Sequence, residues 1–148
     1  MRIVRLPGIH HDSNAVVVIG NAGNLLIDSG TSWYKSLQVE RISGILQDKP
    51  LERILLTGRR FPCSGAAKHI SENFFDCPIH IHRDGQASLE SGDFFTTWAN
   101  RFDSDMPSTK TISLEDDEIF ILGNGQVSTV YLPGHSNDSV GYYIADKK

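Results

Sequence analysis

The sequence predicts an α/β (α+β) domain, a layered β-sheet with helices on its outside. Strand-like and helix-like segments alternate through the first half of the chain. The second half pairs as a hairpin around Gly123-Asn124-Gly125. A chain of 148 residues is also enough to bury one core, so residues 1–148 are expected as a single domain.

Asn14 to Gly20 is a β-branched run that reads as a buried strand, and Asn21-Ala22-Gly23-Asn24 is a turn cluster. Leu25-Leu26-Ile27 returns as the hairpin partner. After Asp28-Ser29-Gly30, Thr31 or Ser32 is expected to cap a helix. That helix runs from about Trp33 to Gln47, with Val39, Ile42, Ile45 and Leu46 as its apolar stripe, and Lys49-Pro50 ends it. Arg53 to Thr57 reads as another buried strand. Gly65 to Phe74 reads as a second helix with Ala66, Ala67, Ile70 and Phe74 inward. Pro78 to Ile81 is a short strand, with His80 and His82 on one face. Asp84 to Lys110 is less regular; its Phe94, Phe95, Trp98 and Phe102 fit helical spacing loosely and cover a core edge. Glu118 to Leu122 and Gln126 to Leu132 are the arms of the hairpin, and Val140 to Ile144 is the last strand.

Composition narrows the function. Charged residues make up 22% and the hydrophobic set 39%, the mix of a soluble globular protein. A net charge of −4 and dispersed basic residues, apart from Arg59-Arg60, argue against a nucleic-acid surface. The longest apolar runs, such as Ala15 to Ile19, fall far short of the roughly 20 residues that span a bilayer. Met1 to Pro7 lacks the apolar centre of a secretory signal, so a cytoplasmic protein with Cys63 and Cys77 reduced is expected.

Three segments carry the chemistry. The first is Leu26-Ile27-Asp28-Ser29-Gly30. The second runs from Leu55-Leu56-Thr57-Gly58-Arg59-Arg60 to Phe61-Pro62-Cys63-Ser64-Gly65-Ala66. The third is Leu132-Pro133-Gly134-His135-Ser136, followed by Ser139-Val140-Gly141-Tyr142-Tyr143. In this order they resemble the metallo-β-lactamase superfamily, whose second segment usually reads Thr-His-x-His-x-Asp-His-x-Gly-Gly. The resemblance implies an αββα sandwich, incomplete here at its C-terminal end. It also implies loops at one edge that hold one or two metal ions, usually zinc, which ionise a bound water for hydrolysis.

Aligning Thr57 and Gly65 places Gly58, Arg60, Pro62 and Cys63 on the four ligand positions. Glycine offers no ligand, and arginine stays protonated and repels a cation. Pro62 stands where an aspartate would bind the second metal. Cys63 alone keeps a donor atom, though a cysteine here more often packs as a small buried residue. His135 matches the one histidine ligand left unchanged, and its bland role is a loop histidine bonded to Asp28 or to backbone. Asp28 matches the aspartate that orients ligands or backbone, and its bland role is a helix-start turn. The family's continuation, a Gly-Asp strand and a final histidine, does not follow Lys148.

Other clusters are weaker. His10-His11-Asp12 is read as cleft rim or solvated surface, since adjacent strand residues face opposite ways. His80 and His82 form a surface-facing pair with Asp84 nearby, the first suspect for a stray metal. Glu115-Asp116-Asp117-Glu118 is a solvated turn. Arg59-Arg60 is either a converted anion site or loop surface paired to a carboxylate.

The leading expectation is therefore an inactive or non-metal-dependent relative of the metallo-β-lactamases, retained as a binding or interaction protein. It has no catalytic residue and no expected cofactor, zinc included. Asp28, Gly58, Arg60, Pro62, Cys63 and His135 line its vestigial cleft. A homo-oligomer, or a partner covering the truncated edge, is expected. The competing reading is a metal-dependent hydrolase of an ester, thioester, lactone or phosphodiester. Its reworked site would use Cys63, His135 and Asp28 or Asp138. A third is a fragment of a longer protein.

Overall fold

In the computed structural model, which describes residues 1–146, six strands form a first sheet whose spatial order follows the chain. They are β1 (Arg2–Leu6), β2 (Ala15–Ile19), β3 (Asn24–Ile27), β4 (Arg53–Leu55), β5 (Ile79–His82) and β6 (Ile112–Leu114). Strands β1 to β3 are antiparallel, and β3 to β6 run parallel through helical crossovers. A second sheet is an antiparallel meander of β7 (Ile119–Ile121), β8 (Gly125–Tyr131) and β9 (Val140–Asp146).

The side-chain period of two explains why β3 and β4 read as continuous apolar runs. Leu26 and Ile54 point to one face, where Ile42 and Leu46 of α1 (Lys35–Leu46) and Ile70 of α3 (Ala67–Asn73) cover them. Leu25, Ile27 and Leu55 point to the other, against Phe120, Leu122, Val127 and Val140 of the second half. The layers are helix, sheet, sheet. Among the described residues no helix covers the outer face of the second sheet, where Ile119, Ile121, Val130 and Tyr143 are exposed.

Several expectations change. The helix expected from Trp33 begins as a 3-10 turn (Ser32–Tyr34) before α1. Thr31 precedes it without capping through its side chain; both its amide and its hydroxyl bond Asp12 Oδ1 instead. The helix expected from Gly65 starts at Ala67 as α3, after an unexpected short helix α2 (Phe61–Ser64), and Gly65 between them packs directly on neighbouring groups. A Cβ there would stand 2.7 Å from the Phe61 ring and 2.8 Å from the Ser32 amide. Strands β1 and β6 were not expected. Neither was α4 (Arg83–Glu90), whose first turn is capped by His82 Nδ1 accepting the Asp84 amide at 3.1 Å.

The largest correction concerns His80 and His82. They share a face, as expected, but that face looks into the space between the sheets. His80 is 3% and His82 2% exposed. His80 meets the Phe120 ring edge-on and bonds the Arg53 guanidinium at 3.0 Å; His82 stacks on Tyr131. Burial and Arg53 together lower the His80 pKa, so this imidazole is neutral. A buried pair held by separate partners is no exposed chelate.

Position on the two faces sets the mechanical importance of each side chain. Leu25→Ala, in the fully buried inter-sheet layer, is expected to cost about 2–5 kcal/mol in urea unfolding. Ile119→Ala, half exposed on the outer face, should cost well under half as much.

Candidate functional site

The segment after β4 is fixed group by group. Leu56 donates its amide to His80 O at 2.9 Å and accepts from Tyr142 Oη at 2.6 Å. Thr57 gives its amide (2.9 Å) and hydroxyl (2.8 Å) to the two oxygens of Asp28, and its carbonyl accepts from Val140 N. Arg59 N donates to Asp138 Oδ2 at 2.7 Å, and Arg59 Nη1 reaches Asp138 Oδ1 at 3.0 Å. Phe61 N bonds Thr97 O at 2.8 Å. These bonds hold the loop through backbone groups of Leu56, Thr57, Arg59 and Phe61.

Asp28 thus ties two loops together rather than starting a helix, and His135 is not its partner. Its backbone is left-handed (φ 61), which an aspartate tolerates better than most residues. Burial pushes its carboxyl up to about 7, and the two Thr57 bonds oppose the shift. Cys63 lies beside it in α2. Burial, then the Asp28 charge, pushes the thiol up to about 12, so it is a neutral thiol at physiological pH. Neither cysteine forms a disulfide.

The remaining residues singled out by the sequence lie as follows, and one adds a feature it lacked. Gly58 backs directly onto Asp138; a Cβ at 58 would lie 3.6 Å from Asp138 Oδ2. Pro62 is built into the first turn of α2, and its carbonyl accepts from Ser13 N. Arg60 turns onto the indole of Trp98, with its Cζ 3.5 Å from the ring centroid. Arg101 approaches the same ring at 4.1 Å. His135 is exposed in its loop. His10 and His11 are also exposed, and His11 packs against Trp33 and Phe102 at the rim.

Sequence reasoning gave Asp138 only a passing role. It is fully buried, holds Arg59 through both oxygens, accepts Ser136 Oγ at 2.6 Å, and presses on the first turn of α4. A Cβ at Gly85 would meet Asp138 Oδ2 at 2.6 Å, which accounts for the glycine. Its one signal was the Asn137-Asp138-Ser139 turn next to a matched motif. Trp98 and Arg101 had no signal, because only the fold brings residues 98 and 101 beside residue 60.

Zinc does not fit these residues. Of the loop positions only Cys63 has a donor atom. Both oxygens of Asp28 accept from Thr57, and a guanidinium fills the space beside Trp98. Among the described residues no three His, Cys, Asp or Glu side chains converge closely enough to hold a metal ion.

The profile of the metallo-beta-lactamase superfamily matches residues 9–148. The chain belongs to this superfamily. It is 27% identical over 146 residues to the probable metallo-hydrolase YqgX of Bacillus subtilis, covering 99% of this chain and 67% of that protein. It is 29% identical over 141 residues to the probable metallo-hydrolase MJ0888 of Methanocaldococcus jannaschii, covering 93% and 65%. Identity to the acyl-coenzyme A thioesterase MBLAC2 of Homo sapiens is 25%, covering 92% and 55%. Among solved structures, the subclass B3 metallo-beta-lactamase BJP-1 of Bradyrhizobium japonicum superposes with a TM-score of 0.76 at 18% identity, over 91% of this chain and 51% of that one. The chain thus spans about two thirds or less of these relatives and about half of that enzyme. Among its described residues no helix is long and apolar enough to cross a membrane.

Asp28 makes stability depend on pH in an unusual direction. Its carboxyl is raised in the folded state, so the folded chain binds the proton more tightly than the unfolded chain. The stabilisation is complete below about pH 4 and is lost as pH rises through about 7. Asp28→Asn suits the left-handed backbone and removes the titration. The unfolding free energy of the native protein, minus that of the variant, should fall by on the order of 4 kcal/mol between pH 4 and 8 and stay flat above. Urea unfolding at a series of pH values measures this; a flat difference would mean that Asp28 is ionised throughout.

Proposed function

We propose that this protein is a metallo-β-lactamase-fold member that has lost its metal site and acts as a binding or interaction protein, not as a zinc hydrolase. One observation carries this reading. At the four positions matched to the superfamily's ligands stand Gly58, Arg60, Pro62 and Cys63, and the second of them carries a guanidinium, stacked on Trp98. A hydroxide nucleophile at neutral pH needs a Lewis acid to lower its pKa, and that needs three or four convergent donors. His135 supplies one exposed imidazole.

The alternative is a metal-dependent hydrolase with a reworked site. It draws support from the relatives, two named as probable metallo-hydrolases and one as a thioesterase. Untagged protein decides between the two. Elemental analysis should find well under 0.1 equivalent of zinc, iron or manganese. Ester, thioester, lactone and phosphodiester substrates should turn over no faster than in buffer. About one equivalent of metal that is lost in His135→Ala, together with turnover, would overturn the proposal.

The reading extends to assembly and place. The outer face of the second sheet exposes Ile119, Ile121, Val130 and Tyr143, and a self-association or partner contact would bury them. We place the protein in the cytoplasm, where its two free cysteines remain reduced. Light scattering after size exclusion should give a dimer, converted to monomer by Ile121→Lys with Tyr143→Lys at unchanged melting temperature. A native monomer at tens of micromolar would remove the homodimer.

A further inference from the structure

We propose that the loop which would hold a cation holds an anion instead. The guanidiniums of Arg60 and Arg101, gathered on Trp98, would bind the phosphoryl or carboxylate head of a small ligand whose apolar part rests on Phe94 and Phe95. This deepens the binding-protein reading by naming a class of ligand.

Two cations share one indole. Their Cζ atoms lie 3.5 Å and 4.1 Å from the Trp98 centroid, so they are no farther apart than the sum of these distances. Among the described residues neither guanidinium has a carboxylate within ion-pair distance. The chain is acidic overall, so this lack is local. Two carboxylates of the surrounding segments are already engaged: Asp138 by Arg59 and Ser136, and Asp93 by the amides of Phe95 and Thr96.

Arg60 is under-satisfied in a way that points to a missing acceptor. Its Nε is buried without a hydrogen-bond partner, and Nη1 makes one long contact, 3.4 Å to Thr96 O. Burial and then the charges around it, with Arg59 the strongest, lower its pKa; Asp138 opposes this and Arg101 adds to it. A buried donor on a cation costs free energy unless an acceptor meets it. A guanidinium fork fits the paired oxygens of a phosphate or carboxylate.

The surrounding chain is built to present this group. Trp98 has φ 66, an uncommon conformation for a bulky residue, and Thr97 anchors the segment through its carbonyl to Phe61 N and its hydroxyl to Asp93 O. Thr96 O accepts from both Arg59 Nε and Arg60 Nη1. One and two residues before it, Phe95 and Phe94 are 64% and 38% exposed, with rings 4.2 Å apart. Exposed aromatic rings in the segment whose carbonyl holds Arg60 suit an amphiphilic anion.

The test uses Trp33→Phe protein, in which Trp98 is the sole indole fluorophore. It is titrated at low ionic strength with phenyl phosphate, benzoate and inorganic phosphate. Phenyl phosphate or benzoate should give a saturable change in Trp98 emission, and the tighter of the two identifies the head group. Affinity should fall at least tenfold in Arg60→Gln and in Arg101→Gln, and circular dichroism melting checks that both variants fold. Inorganic phosphate should bind at least tenfold more weakly than phenyl phosphate if that is the tighter probe. Overturning results are the absence of any saturable change, equal affinity in folded Arg60→Gln and Arg101→Gln, or a response reproduced by sodium chloride at equal ionic strength. A failed titration in protein that also lacks metal overturns the anion site alone. One equivalent of zinc overturns the reading beneath it as well.

Discussion

The loop between β4 and α2 is held by hydrogen bonds to two buried aspartates, and the rest of the site depends on this. Asp28 reaches it from the end of β3, and Asp138 reaches it from the loop before β9. Asp138 comes from the second sheet, so its bonds to Arg59 also tie the halves of the sandwich at their shared edge. In a metal site the ion itself makes such cross-links and its free energy of binding becomes folding free energy. Here the chain makes them with its own side chains. Asp138 can stay buried because Arg59 offers both a backbone amide and a guanidinium, the bidentate arrangement that compensates a desolvated carboxylate best.

Much of this fold was legible in the sequence. Strands β2, β3, β4, β8 and β9 announce themselves through β-branched or apolar runs bounded by turns, and α1 through its 3.6-residue stripe. What escaped has identifiable physical causes. Strand β1 reads Arg-Ile-Val-Arg-Leu and lies at the sheet edge, where one exposed side weakens the pattern. Strand β6 is three residues long. Helix α4 begins Arg-Asp-Gly, and a glycine in a first turn looks like a breaker until Asp138 is seen to need the space. His80 and His82 looked like surface residues because a buried imidazole is recognised by its partners, and Phe120, Tyr131 and Arg53 are distant in sequence.

The candidate site divides the same way. Its candidate positions came from the resemblance of three segments, carrying Asp28, residues 58–63 and His135. The groups that now give the region its character are not local. Asp138 lies 79 residues from Arg59, and Trp98 and Arg101 come from an irregular stretch without strong periodicity. No pattern of apolar residues encodes a cation–π stack or an ion pair between loops.

Electrostatics gives this arrangement its direction. Arg60 disfavours a divalent ion in this partly buried loop, because Coulomb repulsion rises as water is excluded. Once Arg60 stands on Trp98, every donor nearby acts to hold positive charge or to bond backbone. Asp28 bonds Thr57, Asp138 bonds Arg59, and the Cys63 thiol keeps its proton beside a carboxylate. A histidine at position 60 alone would leave Arg101 on the ring, a glycine at 58 and both Asp28 oxygens bonded to Thr57. A metal site would need changes at several positions together, whereas the proposed oxyanion would use the guanidiniums as they stand.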